Sequence, residues 1–436
     1  MSLKPQPKFV TPEETENITK KVAELISINK SKADSEEIIR VLTPIKAECE
    51  KSLRHKVVLG KAGAYPAILD TLTISLVDRK VIKLCFRTLI CLMRKQPDLL
   101  DARGIRMIIS FLRPDVDSDL TKLALKWTKE CCILHEMNRQ KIFNANIVVH
   151  LKQIFLERTI DVVKEALSVS RALILDDDVR VQYGKAHEHA RAIAMETLCA
   201  LTSLLRRHYL EEYLVTDLLR TLSALLVRDE FCKKVEDAGC LDVMVNVIQH
   251  FVANDQVMRH SFKLLKTISG KICWKILHCT GNDDCKIHII EKNYAPLITT
   301  ALDANKAAAS AAIAGLHCVA ALSLRCPQNS KALIDAGLPE VIVAIMKMHP
   351  DEETVQKTAS WAIRNMVSRN KTHGRMFINL GVEELLHANL NKFENIDYDT
   401  KAALRDLNCN VNLKEEWTGR GGALTTGFTF TNIELS

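Results

Sequence analysis

Apolar residues recur along this chain in short runs at helical spacing, each broken by a single glycine or asparagine and then resumed. The stretch NSKALIDAGLPEVIVAIMKM, residues 329–348, shows the unit. Asn329 is placed to cap a short helix ending at Gly337, which supplies the left-handed backbone that follows a helix. Pro339 then falls in the first turn of a second helix, where its missing N–H costs nothing. Val341, Ile342, Ile345 and Met346 follow at helical spacing. After a polar loop, Val355, Ala359, Ala362, Ile363, Met366 and Val367 form the apolar stripe of a third, longer helix.

The same order recurs, with the turn position held by Gly63, Gly104, Gly239, Gly337 and Gly381 and by asparagine at Asn146 and Asn293. Asparagine is the next-best residue for left-handed backbone. Successive intervals are 41, 42, 93, 54, 44 and 44 residues. The 93 splits into two periods and predicts one more turn near Ile193, without glycine. About eight units result. A short helix, a glycine turn, a second helix and a longer third one resemble the armadillo repeat; HEAT repeats, which are helix pairs, lack the short first helix. The likeness covers residues 56–409. It implies an all-α fold, a right-handed superhelical solenoid whose units bury their apolar faces only by stacking. The expected organisation is a disordered start (1–10), N-terminal capping helices (11–55) opened by Thr11 and Pro12, one unbroken repeat array (56–409) and a C-terminal tail (410–436) with Trp417 as an anchor.

Composition agrees with helix. Only 15 glycines, 11 prolines and 5% aromatics occur in 436 residues, which disfavours a turn-rich sheet protein. Sixty basic residues against 53 acidic ones leave a net charge of +7 without a basic block, so no nucleic-acid surface is signalled. No run of about 18 apolar residues occurs, and the N-terminus lacks an apolar leader segment, so no membrane partner and no secretion are expected. The 14 cysteines include Cys85, Cys91, Cys131, Cys132, Cys199 and Cys318 inside apolar runs. They read as small buried hydrophobes in a reducing compartment, cytoplasm or nucleus.

Three stretches carry a closer resemblance, to the armadillo repeat-containing protein 6 family: LDDDVRVQYGKAHEHAR from Leu175, GNDDCK from Gly281, and the tail AALRDLNCNVNLKEEWTGRGG. That resemblance implies no established enzymatic activity. The 54-residue interval departs from the pattern. Removing residues 271–281 restores 43, so KICWKILHCTG is either an edge loop or a splice or gene-model insertion.

Candidate chemistry is sparse. Asp176, Asp177 and Asp178 precede His187 and His189, a composition compatible with a metal-dependent enzyme. Against that, the stretch falls at a junction between units, acidic residues before a helix are ordinary capping chemistry, and histidines two apart point to different helix faces. A brace between units, or an edge contact, is the simpler reading. Cys273, Cys279 and Cys285 with His278 and His288 match no zinc spacing. No nucleophile elbow, phosphate loop, dinucleotide fingerprint or zinc-protease motif occurs, and no cofactor is expected.

The remaining candidate is the groove that the armadillo resemblance implies, where tryptophans and asparagines one turn apart on third helices hold an extended peptide. Trp361 and Asn365 have that spacing. The equivalent pairs are Phe86 and Ile90, Thr128 and Cys132, Ser168 and Ala172, Arg220 and Ala224, Phe262 and Lys266, and His317 and Ala321. A nuclear transport carrier of basic peptides, like the importins, needs that pair several times over together with acidic pockets. Here Arg220, Lys263, Lys266 and Arg364 make the middle of the groove basic, suited to an acidic protein or peptide partner. The alternatives are a solvated helix face with incidental charge, and a Trp361 that belongs to the core. The expected function is a non-enzymatic protein-interaction scaffold or adaptor.

Overall fold

A computed structural model describes residues 10–74, 78–270 and 283–412. The proposed insertion at 271–281, with Cys273, His278 and Cys279, lies outside them, as do residues 1–9 and the tail from 413 with Trp417.

The described residues form 24 α-helices and two short 3-10 turns, with no strand. Thr11 caps α1 (Pro12–Ser31) through a reciprocal box in which its hydroxyl accepts from Glu14 N and the Glu14 carboxylate accepts from Thr11 N. With α2 (Ser35–Lys51), α1 precedes the repeats. The first repeat is α3 (Leu53–Lys61), α4 (Ala64–Ile74) and α5 (Arg79–Met93). The second replaces its first helix by a 3-10 turn at Pro97–Leu99, followed by α6 (Ala102–Ser110) and α7 (Ser118–Cys132). The third is α8 (Glu136–Asn144), α9 (Ile147–Glu157) and α10 (Ile160–Leu173). Then come α11 (Ala186–Arg207) and α12 (Glu212–Leu225). Three full repeats follow: α13 (Asp229–Asp237), α14 (Cys240–His250) and α15 (Asp255–Ile268); α16 (Asp283–Glu291), α17 (Tyr294–Ala304) and α18 (Ala309–Ser323); α19 (Pro327–Asp335), α20 (Leu338–Met348) and α21 (Glu353–Val367). The last is α22 (Lys371–Asn379), α23 (Val382–Lys392) and α24 (Asp397–Asp406), the latter two joined by the 3-10 turn Glu394–Ile396.

The chain divides into two compact units, residues 1–207 with 224–227 and residues 208–223 with 228–436. Within the first, α2, α5, α7 and α10 pack side by side in that order. Within the second, α15, α18, α21 and α24 do the same. The apolar stripe read from α21 is buried throughout.

The predicted turn residues adopt the left-handed conformation at Gly63, Gly239, Gly337 and Gly381, with φ between 78° and 88°, and at Asn146 and Asn293, both with φ 61°. Other expectations need correction. Gly104 lies inside α6, not at a turn; a Cβ there would sit 2.1 Å from the Tyr65 hydroxyl, which bonds to Asp101, so close packing demands the glycine. No turn occurs near Ile193, because α11 runs unbroken for 22 residues and fuses the first and second helices of its unit. Asn329 does not cap α19. It is buried, and its amide donates to the carbonyls of Lys286 and Leu322, as the buried Asn138 does to Pro97 and Cys131. Satisfying carbonyls across a repeat junction needs a buried donor, and this position of the short helix supplies it. Cys85, Cys131, Cys132 and Cys318 are buried as expected, whereas Cys91 is partly exposed and Cys199 is exposed.

Candidate functional site

The aspartate run sits in a connected polar cluster of the first unit. Between α10 and α11, Asp177 accepts from Leu134 N at 3.2 Å and from Arg139 Nη1 at 2.6 Å. Asp178 accepts from Glu136 N at 2.8 Å and from Arg180 Nε at 2.8 Å. Arg180 reaches on to Asp98 and to the Leu134 carbonyl, and His135 shares Asp98. Glu136 accepts from Arg139 Nε, Gln140 Nε2 and the Lys185 amide. The loop thus ties together the second repeat's 3-10 turn, α8 of the third repeat and the entry to α11. The guanidinium bond to Arg180 holds the Asp178 carboxyl well below its usual range. Burial opposes ionisation at Asp98 and Glu136, but their hydrogen bonds and cationic neighbours leave both lowered.

The loop's five named residues do not converge. Asp176 and His187 are exposed. His189 is buried, stacks on Phe143 at 4.1 Å between ring centroids and bonds the Leu173 carbonyl through Nδ1. Burial lowers its pKa despite that bond. Among the described residues, no three His, Cys, Asp or Glu side chains are grouped to hold a metal ion. The carboxylates are used on backbone amides and arginines, which is the geometry of a brace.

Asp98, His135, Glu136, Arg139 and Arg180 escaped the sequence reading. A signal existed: EMNRQKIFN has few apolar residues for a packed helix, and α8 buries Glu136, Asn138 and Arg139 beside Ile142.

The second unit carries a different arrangement on its stacked third helices. Lys266 on α15, His317 on α18 and Trp361 on α21 follow one another. His317 and Trp361 meet edge to face at 5.7 Å between centroids. His317 Nδ1 is buried and has no hydrogen-bond partner among the described residues. Its burial and the Lys266 charge push the imidazole pKa down to about 4. Lys266 is half-buried with no carboxylate partner among the described residues; burial lowers its pKa and Lys263 adds to the effect. Arg364 faces Asp406 at 3.7 Å and lies 5.9 Å from the Tyr398 ring centre, and the exposed Arg220 pairs weakly with Asp217 at 3.8 Å.

Two of the expected groove residues do other work. Phe262 is fully buried and belongs to the core, beneath Gly315, where a Cβ would approach its ring to 3.3 Å. Asn365 is buried and its amide donates to the Ala320 carbonyl at 2.9 Å, so that amide joins two third helices. Trp361 itself is partly exposed.

These stacked repeats, with left-handed turns between first and second helices and third helices packed in series, define an armadillo-repeat solenoid. A chain of an engineered protein superposes with a TM-score of 0.72 at 17% identity, over 91% of this chain and 96% of its own. A chain from a structure on a conserved phosphorylation switch controlling the interaction between cadherin and beta-catenin gives 0.63 at 12%, over 90% and 68%. The family model ARMC6 matches residues 15–426, and the chain belongs to that family. It is 36% identical to the armadillo repeat-containing protein 6 homolog of Drosophila melanogaster, over 88% of this chain and 82% of that one. It is 30% identical to armadillo repeat-containing protein 6 of Homo sapiens, over 89% and 78%.

Proposed function

We propose that this protein is a non-enzymatic interaction scaffold of the cytoplasm or nucleus, and that the third-helix face of its second unit captures an extended protein segment bearing an acidic side chain. The observation that carries this reading is the pair Lys266 and His317. An ammonium half-buried without a carboxylate partner among the described residues, beside an imidazole whose buried nitrogen has none there either, is costly unless an anion or acceptor completes it. Trp361, edge to face with His317, offers an aromatic wall. Rigid helices lower the ordering cost of holding such a segment. The beta-catenin neighbour, whose structure concerns its interaction with cadherin, supports protein binding as a use of the fold. A carrier of basic peptides is disfavoured, because Lys263, Lys266 and Arg220 would repel the cargo.

The test is a screen of immobilised extended peptides with wild-type protein and with Lys266→Glu. Acidic peptides should be retained by wild type and weakened roughly tenfold or more by the substitution, about 1.4 kcal/mol. Retention of basic peptides, or indifference to Lys266, would reject the proposal.

A further inference from the structure

Two thiols meet in the first unit. Cys49 lies near the end of α2 and Cys91 near the end of α5, helices that pack side by side. Each cysteine is the third residue from the end of its helix, so they occupy matching places on neighbouring helices. The two thiols lie within interaction range of each other. Cys49 is fully buried, whereas Cys91 is partly exposed and has the cations of Lys56 and Arg94 nearby, with the Glu50 carboxylate opposing them.

We propose that Cys91 is an oxidation site, with Cys49 as its resolving partner, and that a hydroperoxide converts the pair to a disulfide joining α2 to α5. The Cys91 thiolate attacks one peroxide oxygen and the O–O bond breaks. With hydrogen peroxide, the departing hydroxide takes a proton and leaves as water, and Cys91 becomes a sulfenic acid. The Cys49 thiol gives up its proton and attacks the Cys91 sulfur. The S–O bond breaks, hydroxide leaves with that proton as a second water, and the S–S bond forms. Two thiols lose two hydrogens while one peroxide is reduced to two waters. A reactive, accessible cysteine set against a resolving thiol is the arrangement this chemistry requires. Cys91 is the attacking sulfur because it is the accessible member of the pair, and the contact from Cys49 favours its thiolate, whereas Cys49 is buried and stays protonated until it resolves the sulfenic acid.

The experiment treats reduced full-length protein with one equivalent of hydrogen peroxide, alkylates the remaining thiols and maps the peptides by mass spectrometry. The Cys49–Cys91 peptide should be the most abundant disulfide among the 14 cysteines and should vanish when the chain is oxidised in urea. In Cys49→Ser, Cys91 should accumulate as a dimedone adduct; in Cys91→Ser, Cys49 should give neither disulfide nor adduct. Alkylation of both residues in wild type after peroxide, while the exposed Cys199 is oxidised, would overturn the proposal.

Discussion

Arg139→Met tests whether the aspartate run is a brace. Arg139 is fully buried and donates to Glu136 Oε2 at 2.8 Å, Asp177 Oδ1 at 2.6 Å and the Cys132 carbonyl at 2.8 Å. Methionine keeps much of the stem volume but removes the charge. Breaking a buried pair by deleting one partner costs about 3–5 kcal/mol, because the other charge is left stranded. Glu136, with only 1% of its side chain exposed, is that stranded charge, whereas Asp177 at 29% is able to hydrate. Gln140 and the Lys185 amide still bond Glu136. These discounts favour the lower end, about 3 kcal/mol. The assay is urea unfolding followed by far-ultraviolet circular dichroism, reading the transition of the first unit because repeat arrays need not unfold in one step. Glu136→Gln combined with Arg139→Met should cost less than the sum of the single changes by more than 1 kcal/mol, as expected for coupled groups. A loss below about 1 kcal/mol for Arg139→Met, or strict additivity in the pair, would refute the brace.

Other outcomes follow from single sites. Gly337→Val, at φ 80°, should destabilise by about 1–2 kcal/mol in the same assay, whereas Asn146→Gly should be neutral or stabilising. Gly104→Ala should lower the melting temperature by crowding the Tyr65 hydroxyl, and adding Tyr65→Phe should recover part of the loss. His317 has a folded pKa of about 4 against 6.5 when unfolded, so protons bind preferentially to the unfolded chain between those values. Its stabilising contribution is complete above pH 6.5 and is lost as pH falls toward 4; His317→Gln should flatten that part of the stability curve. Asp98, Glu136 and Asp178 are all lowered, so their contribution holds above the ordinary carboxylate range and fades as pH drops through and below it.

The repeats were legible because their markers are local. A left-handed residue such as Gly337 or Asn293 is required by backbone sterics at one position, and the stripe on α21 is required by burial on one face. Gly104 misled for the same reason: a glycine demanded by Tyr65, far away in sequence, looks identical to one demanded by a turn. The fused α11 carries no break because AIAMETLCALTSLL is continuous helix former, and only periodicity suggested a turn there. The brace was partly legible. Asp176–Asp178 announced polar work, but Glu136 and Arg139 lie about one repeat upstream and Asp98, reached through Arg180, about two, and they meet only after stacking. The groove was less legible still, since W-x-x-x-N spacing does not reveal that Asn365 reaches the Ala320 carbonyl.

The central claim is that the third-helix face of the second unit is the working surface. Quantitative affinity capture from cell lysate with three baits tests it most directly. One bait is wild type, one carries Lys266→Glu with Trp361→Ala, and one carries Tyr183→Ala with His187→Ala on the exposed part of the aspartate loop. All three must first give the same helical melting curve. Partners lost from the second bait and kept by the third are the predicted result. Partners lost from the third alone would move the function to the loop and contradict the account.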